Sequence, residues 1–386
     1  MISDVKGRVI RVISERRLVA NFLELVQVDS PSGRERKLAD LLKEKLLSLG
    51  LFVQEDKAGQ KMGGTTGNLI ARTSDFSQRD RLFLCAHMDT VEPGQGIKPL
   101  VEKGIIRAKG NTVLGADDKA GIAVILEAVQ VIKEEGWFDR CGLVVVFTIW
   151  EEGGLYGAKN LYYTSSRVPL GYVLDCDGPP GTIVIQAPSQ DKITATIKGR
   201  AAHAGINPEE GLNAIYVCAH AIARMSLGRL DEETTANIGL ISGGRATNIV
   251  PEAVYLEGEK RSLNETKRQK QTEEICGILK ETAASFGAKA CINTETIYPG
   301  FCLSEEAPVV QVAVKAAQSL GLTPRLKKSG GGSDANIFNS QGIPTANLGL
   351  GMQKVHTTEE FIRVADLVTS ARYMVEIIKK TAEGNL

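Results

Sequence analysis

The stretch RLFLCAHMD (81–89) is a short apolar run, and it is followed by the amphipathic segment ADDKAGIAVILEAVQVIKEEG (116–136) and by a second apolar run, GLVVVFTIW (142–150). Apolar runs of this length, bounded by glycine or charged residues, are typical of strands buried on both faces. The amphipathic segment keeps apolar residues at helical spacing and ends in glycine, a common helix stop. Strand, helix and strand in alternation predict an α/β sheet covered on both sides, to which NLIAR (68–72) and GYVLD (171–175) would add strands.

The pattern changes near residue 188. Four later segments alternate apolar and polar residues at a period of two: DKITATIKGR (191–200), ANIGLISGG (236–244), AVYLEGEKRSL (253–263) and AKACINTETI (288–297). This alternation predicts strands with one solvated face. With amphipathic helices around 208–226 and 264–286, the order is β-α-β-β-α-β, the ferredoxin-like arrangement. Because residues after about 300 return to α/β character, we expect one α/β domain, formed by 1–187 and 300–386, interrupted by an α+β domain over 188–299.

The composition disfavours several classes of protein. The 386 residues include 46 Lys+Arg and 46 Asp+Glu, so zero net charge gives no general attraction for nucleic acid or an anionic membrane. Aromatic residues make up 5%, which leaves few side chains for base stacking. The first residues lack an apolar signal segment, and no later run reaches about 18 apolar residues, so we expect a cytoplasmic protein. The seven cysteines form no C-x-x-C pair and are expected to be reduced.

Histidine and acidic residues collect at the ends of predicted strands and at one helix start. His87 ends an apolar run and precedes Asp89 by two positions, a spacing at which a carboxylate can orient a metal-bound imidazole. Asp117 and Asp118 open the predicted helix over 116–136, where a helix cap would explain either aspartate. Since His-x-Asp is also common, neither pattern identifies a metal site by itself.

Further carboxylates follow two more strands. Glu151 and Glu152 come directly after an apolar run, and adjacent carboxylates at a strand end repel each other unless a cation or a shared proton compensates. Asp175 and Asp177 lie at the end of GYVLD in the same way, and His356 precedes the last predicted helix. Ligands bind at the carboxyl edge of the strands in open α/β sheets. The convergence of these residues therefore predicts a metal site at that edge.

The number and type of these ligands indicate two ions. Two histidines with three or four carboxylates are too many for one tetrahedral zinc ion, whereas they suit two ions that share a bridging carboxylate. Nitrogen and oxygen ligands without thiolate fit zinc, cobalt or manganese. We therefore expect a dinuclear hydrolase.

Eight segments, in this order, resemble the dinuclear-zinc exopeptidase family that contains peptidase T and aminoacylase. They are LCAHMDTV, GADDKAGIA, WEEGGLYGAK, LDCDG, GRAAHAG, GGRATNIVPE, GGSDAN and VHTTEEF. The resemblance covers residues from about 15 to 380 and is greatest to the peptidase T branch. It implies a phosphorylase/hydrolase-like zinc-exopeptidase catalytic domain, 1–187 and 300–386, with an inserted α+β ferredoxin-like lid and dimerisation domain, 188–299. It also implies a homodimer.

The same resemblance implies a ligand set for two zinc ions, which cobalt or manganese could replace. His87 and Asp177 would hold one ion. Glu152 and His356 would hold the other, with Asp117 bridging the two.

Two more acids receive roles from the resemblance. Asp89 would orient a histidine ligand, and Glu151 would be the general base that takes a proton from water and passes it to the leaving amine. Asp177 is preferred over Asp175 as the ligand, because the family pattern places glycine directly after it.

The inserted domain would also contribute to the site. His203 resembles the family's histidine that stabilises the tetrahedral oxyanion, often in the partner subunit's active site, although a loop histidine would explain it too. Arg261 and Asn248 resemble the family's groups for the substrate carboxylate and the oxyanion side. Arginine on a strand is otherwise most often a salt-bridge partner.

The resemblance, together with the residues that carry it, predicts a metal-dependent exopeptidase that acts on small peptides, with tripeptide aminopeptidase activity preferred. The first alternative is another amide hydrolase with the same site, such as an N-acyl amino acid deacylase. The second is a non-catalytic protein that binds peptides or metal. A small peptide substrate and a second copy of the chain are the expected partners, with neither nucleic acid nor membrane.

Overall fold

The computed structural model describes residues 13–74, 80–163 and 170–384, and the backbone of a short two-stranded ribbon near the start of the chain. Contacts divide the chain into two compact units. The first comprises Met1–Ile185, Cys302–Lys328 and Ser333–Leu386, and the second comprises Gln186–Phe301 and Ser329–Gly332. In the described part of the chain, no helix is both long and apolar enough to cross a membrane.

In chain order, the described helices are α1 (Glu15–Val26), α2 (Arg36–Ser48), α3 (Ala116–Glu134), α4 (Phe138–Cys141), α5 (Tyr156–Lys159), α6 (Ala214–Arg224), α7 (Glu265–Ser285), α8 (Pro308–Ser319), α9 (Asp334–Ser340) and α10 (Val364–Ala382). The described strands are β1 (Ile2–Ser3), β2 (Val9–Ile10), β3 (Phe52–Glu55), β4 (Leu69–Arg72), β5 (Leu82–His87), β6 (Pro99–Glu102), β7 (Ile105–Ala108), β8 (Leu143–Thr148), β9 (Leu170–Cys176), β10 (Thr182–Ala187), β11 (Ser189–Lys198), β12 (Gly228–Arg229), β13 (Thr234–Gly243), β14 (Ala253–Ser262), β15 (Lys289–Tyr298), β16 (Phe301–Cys302), β17 (Arg325–Lys328), β18 (Thr345–Gly349) and β19 (Phe361–Arg363).

The first unit is built on a sheet with the strand order β16-β10-β18-β9-β5-β8-β4-β3, and β17 pairs with β10. The central strands β18, β9, β5 and β8 are parallel neighbours, whereas β3, β4 and β10 pair antiparallel. Every residue of β5 and β8 is buried, as expected for apolar strands covered on both faces. The prediction of an α/β fold is confirmed, and the four parallel strands place their carboxyl ends at one edge.

Helix α3 is the central helix of this unit and contacts β5, β9, α1 and α10. Gly121 allows it to approach the sheet closely, because a Cβ atom there would lie 2.5 Å from the carbonyl oxygen of Leu174. Ile122, Ile125 and Val129 are fully buried in the resulting core. This packing holds the first turn of α3 beside the ends of the central strands.

The second unit is an antiparallel sheet with the order β12-β13-β14-β11-β15, against which α6 and α7 pack. Its chain order β11-α6-β13-β14-α7-β15 is the ferredoxin-like order that the alternating segments predict. Burial alternates residue by residue along β11, so one face of the strand enters a core with Val217 and Leu279.

The short segment Ser329–Gly332 belongs to the second unit, although the sequence pattern assigned all residues after 300 to the first domain. The N–H of Ser329 donates to the carbonyl of Gln186 at 2.8 Å. Gly332 lies directly against Tyr298, where a Cβ atom would be 2.3 Å from the ring. These contacts connect sequence-distant segments, and no local residue pattern indicates them.

Candidate metal centre

The candidate site lies at the carboxyl edge of the central strands. His87 is the last residue of β5 and is paired in register with Thr148, the last residue of β8. Glu151 and Glu152 therefore follow β8 beside His87. Asp117 lies in the first turn of α3, which packs on the same strands.

Asp117 lies between two histidines and directs one carboxylate oxygen toward each. Its Oδ1 is 2.9 Å from Nε2 of His87, and its Oδ2 is 3.2 Å from Nε2 of His356. His356 also lies 2.8 Å from Oε1 of Glu152. This is the arrangement that a carboxylate needs to bridge two ions, each with one histidine.

Within the described residues, three groups of side chains have ligand atoms close enough to share a cation. In each group the atoms lie within 4.8 Å of one another. The groups are His87 with Asp118 and Asp175, His87 with Glu151 and Glu152, and Asp117 with Glu152 and His356. Because the groups share members, they form one continuous cluster.

The electrostatics of this cluster indicate an excess of buried negative charge. Burial raises the pKa of Glu151 and of Asp175 well above the usual value for a carboxyl group, and neighbouring carboxylates add to the rise. For Asp117, hydrogen bonds from His356 and His87 outweigh burial and lower the pKa. Hydrogen bonds to Asp117 and Glu152 raise the pKa of His356 to about 10. A divalent cation would relieve the repulsion among these acids, so the donor set fits metal ions.

Of the two acids at the end of β9, Asp175 lies in the cluster, whereas the predicted ligand Asp177 does not. Asp175 belongs to the cluster, and Asn347 holds its backbone from both sides, donating to its carbonyl at 3.0 Å and accepting from its N–H at 2.9 Å. The side chain of Asp177 is 59% exposed and lies 3.0 Å from Nζ of Lys327. In a continuous strand, residues two positions apart point to the same side, which would have placed both acids together. Strand β9 ends at Cys176, so this alternation does not extend to Asp177.

Asp89 lies against the same turn as the paired glutamates. Nδ1 of His87 is 2.9 Å from the carbonyl oxygen of Asp89 and 3.4 Å from its Oδ1. The carboxylate of Asp89 accepts from the N–H groups of Glu151 and Glu152, at 2.9 and 3.1 Å, and from the hydroxyl of Ser32 at 2.6 Å. Asp89 therefore contacts the histidine and also supports the backbone that carries both glutamates.

Several buried polar residues around the cluster were not singled out from the sequence as site residues. Asp118 accepts from the N–H of His87 at 3.1 Å. Glu360 accepts from the N–H of Asp117 at 3.0 Å. Lys119 is fully buried, and its Nζ donates to the carbonyl of Val28 at 2.8 Å. Charged residues inside a segment of small and apolar residues, such as GADDKAGIA, could have indicated buried polar groups. Their backbone partners could not be identified, because these lie far away in the sequence.

Three predicted site residues lie in the second unit. His203 and Asn248 are exposed neighbours, since His203 pairs with Ile249 in a β-bridge and the N–H of Ala204 donates to the Asn248 carbonyl at 2.9 Å. Arg261 makes two hydrogen bonds of 3.0 Å to Glu259. The salt-bridge alternative for Arg261 is therefore present in the structure.

Comparisons with known proteins identify the family of this chain. Residues 83–380 match the family model described as peptidase family M20/M25/M40. A Bacillus subtilis protein named YqjE is 43% identical over 372 residues, which are 96% of this chain and 100% of that protein.

Two solved structures have the same fold over nearly their whole length. A tripeptidase from Staphylococcus aureus superposes with a TM-score of 0.90 at 43% identity, covering 97% of this chain and 100% of that one. Aminopeptidase PepT from Bacillus cereus gives a TM-score of 0.85 at 44% identity, covering 96% and 99%. On the family match and these whole-length similarities, the chain belongs to peptidase family M20/M25/M40.

Proposed function

We propose that this protein is a metal-dependent exopeptidase that removes the N-terminal residue from small peptides, with tripeptides as its substrates. The observation that carries the proposal is the position of Asp117 between His87 and His356, with one carboxylate oxygen toward each. The similar proteins called tripeptidase and aminopeptidase PepT support this substrate class.

The proposed ligand set differs from the sequence-based one at a single position. His87 and Asp175 would hold one ion, and Glu152 and His356 the other, with Asp117 between them. Zinc is the proposed metal, and cobalt or manganese also fit nitrogen and oxygen ligands. Two such ions supply a Lewis acid for the scissile carbonyl and lower the pKa of water that they bind.

Glu151 is the proposed general base. Glu151 is 8% exposed, and its carboxylate lies beside His87 and Glu152, so it faces the cluster. A carboxylate at this position can take a proton from the attacking water. The same carboxyl group would then deliver this proton to the nitrogen of the leaving amine.

The second unit is proposed to act as a lid and as a dimerisation domain. His203 would stabilise the oxyanion, in its own or the partner subunit's site, and Asn248 and Arg261 would bind the substrate's polar groups. Their support is the family resemblance, together with the exposure of His203 and Asn248. We also propose that the protein is cytoplasmic.

The dimer proposal has structural support at the edge of the second sheet. Strand β12 pairs only with Thr235 and Ala236 of β13, and no described strand covers the rest of that edge. Leu240 and Ile241 on this part of β13 are 60% and 54% exposed. An uncovered apolar edge of this kind is suited to two-fold antiparallel pairing with a second copy.

The decisive experiment compares one tripeptide in free, N-acetylated and C-terminally amidated forms. The protein is stripped with a chelator, restored with zinc, cobalt or manganese, and the products are identified by mass spectrometry. The expected result is release of the N-terminal residue from the free form only after metal is restored. Release from the amidated form should be slower, because that form lacks the carboxylate that Arg261 would bind. A Glu151→Gln variant loaded with the same metal is the control for contaminating peptidases.

Other outcomes would support the alternatives. Cleavage of the acetyl group, or of the blocked peptide alone, would assign the protein to the deacylases. Release of the C-terminal residue would contradict the aminopeptidase assignment. Metal binding without turnover on a broad panel of peptides and acyl amino acids would favour a binding protein.

A further inference from the structure

Three consecutive backbone N–H groups in the turn after β8 donate to buried carboxylates. Glu151 and Glu152 donate to the two oxygens of Asp89, at 2.9 and 3.1 Å. Trp150 donates to Oε1 of Glu35 at 3.0 Å. Two acidic side chains, Asp89 and Glu35, therefore hold the backbone of the turn that carries the proposed base. Glu35 is not a member of the metal cluster.

Glu35 is fully buried just before α2, and one of its oxygens accepts two backbone hydrogen bonds. Oε1 accepts from the N–H of Trp150 and also from the N–H of Gly33, at 2.8 Å. Its other oxygen, Oε2, is buried without a hydrogen-bond partner among the described residues. Burying a carboxylate with an unpaired oxygen destabilises the folded protein. We therefore attribute the role of Glu35 to the two backbone N–H groups that it accepts from.

Trp150 needs this support because its backbone is in an unfavourable conformation. Its φ angle is +52°, in the left-handed region that residues with a large side chain rarely adopt. Its ring fits only because Gly33 and Gly153 lack side chains, since Cβ atoms there would lie 2.9 and 2.2 Å from the ring. The segment 33–35 therefore holds both the backbone N–H and the ring of Trp150.

We propose that Glu35 is a positioning residue that sets the orientation of Glu151 through the N–H of Trp150. Without an acceptor at position 35, the turn loses the hydrogen bond that holds Trp150 at positive φ, and Asp89 alone still holds it. A shift of φ toward negative values then displaces Glu151, the next residue along the chain. The effect on catalysis rests on the proposed role of Glu151 as base. Glu35 touches neither substrate nor metal in this assignment.

Two substitutions test whether Glu35 acts as a hydrogen-bond acceptor or only through the volume of its side chain. Glu35→Gln keeps an acceptor oxygen at the same distance from the backbone, whereas Glu35→Ala removes it. We expect Glu35→Ala to lower kcat by about a hundredfold, as small displacements of reacting groups do, with KM within about threefold and two equivalents of zinc retained. Glu35→Gln should restore kcat to within about fivefold of the parent.

A matched control tests whether loss of any buried glutamate has this effect. Glu127 is also fully buried and accepts a backbone N–H, that of Ser14, at 2.9 Å, but it lies on α3 away from the turn. Glu127→Ala should lower the melting temperature while leaving kcat of the folded protein unchanged. Assays are run well below the melting temperature of each variant and normalised to bound zinc.

A spectroscopic measurement tests the positioning step without relying on peptidase activity. The chain has two tryptophans, so Trp137→Phe leaves Trp150 as the only one. In this background, Glu35→Ala should increase quenching of Trp150 fluorescence by acrylamide, and Glu35→Gln should not. If the parent protein cleaves no peptide, this result still decides whether Glu35 holds the turn.

Two results would overturn the inference. Unchanged kcat and unchanged quenching in a folded, zinc-loaded Glu35→Ala protein would show that the turn does not depend on Glu35. Equal loss of kcat in Glu35→Gln and Glu35→Ala would show that the acceptor oxygen is not the basis of the effect.

Discussion

The N–H of Asp117 donates to Oε1 of Glu360 at a distance of 3.0 Å. The second oxygen of Glu360 accepts from the N–H of Gly115 at 2.8 Å, and the side chain is almost fully buried. Glu360 follows His356 in the same loop, so one carboxylate connects the segment of a proposed histidine ligand to the turn of the proposed bridging aspartate. The geometry of two ligands therefore depends on a residue that is not itself a ligand.

We expect Glu360→Ala to weaken binding of the ions by about tenfold to a hundredfold, because loss of residues that orient ligands has effects of this size. The affinity is measured by titrating the zinc-loaded protein with a competing chelator. Glu360→Gln, which keeps one acceptor oxygen, should fall between Glu360→Ala and the parent.

The neighbouring glutamate provides the control for this prediction. Glu359 is 70% exposed and is paired with Lys354 at the surface, so Glu359→Ala should leave metal affinity unchanged. Equal affinity of the Glu360→Ala and parent proteins would contradict the role assigned to Glu360.

The second prediction separates the two acids at the end of β9. Asp175→Asn should reduce bound zinc toward one equivalent and lower kcat, since Asp175 shares a ligand group with His87. Asp177→Asn should behave like the parent, because the side chain of Asp177 is exposed and paired with Lys327 at the surface. Zinc content is measured by elemental analysis after gel filtration, and the reverse result would restore Asp177 as the ligand.

The third prediction concerns the general base. Glu151→Gln should retain two equivalents of zinc and lower kcat by about a hundredfold to ten-thousandfold, the range typical of lost acid–base catalysis. Asp117→Ala should lose both metal and turnover, because Asp117 lies between the two histidines. Normal turnover by zinc-loaded Glu151→Gln would show that another group moves the proton.

The fourth prediction tests the proposed dimer edge. Leu240→Asp and Ile241→Asp should shift the protein from dimer to monomer, since each places a charge on the exposed apolar edge of β13. Leu47→Asp, which changes a leucine on α2 that is 52% exposed, is the matched control and should remain dimeric. The mass in solution is measured by light scattering, and a parent protein that is already monomeric would contradict the proposed pairing.

Much of the fold followed from local residue patterns. Continuous apolar runs predicted strands such as β5 and β8, and the structure buries every residue of both. Alternating runs predicted the antiparallel sheet of the second unit, and the family resemblance is confirmed by the match over 83–380. These predictions succeed because burial on one or two faces of a strand imposes a pattern on neighbouring residues.

The choice between Asp175 and Asp177 could not be made from the sequence. It depends on where β9 stops and on the hydrogen bonds that Asn347 makes to the Asp175 backbone from 172 positions away in the chain. Glu35 and Glu360 were missed for a related reason, since each acts on backbone N–H groups. A backbone N–H is present in every residue except proline, so it leaves no signature in a sequence.

Consecutive residues alone therefore specified the layered α/β architecture, the inserted antiparallel unit and the set of histidines and acids from which a metal site can be built. These features follow from continuous or alternating apolar residues, and such patterns can be read from neighbouring positions in the chain. Packing of the chain was needed to bring Asp175 into the cluster and to place Glu35, Asp89 and Glu360 against the backbone around it. Those relationships are hydrogen bonds between distant segments, which exist only after the core has packed and brought the turns together.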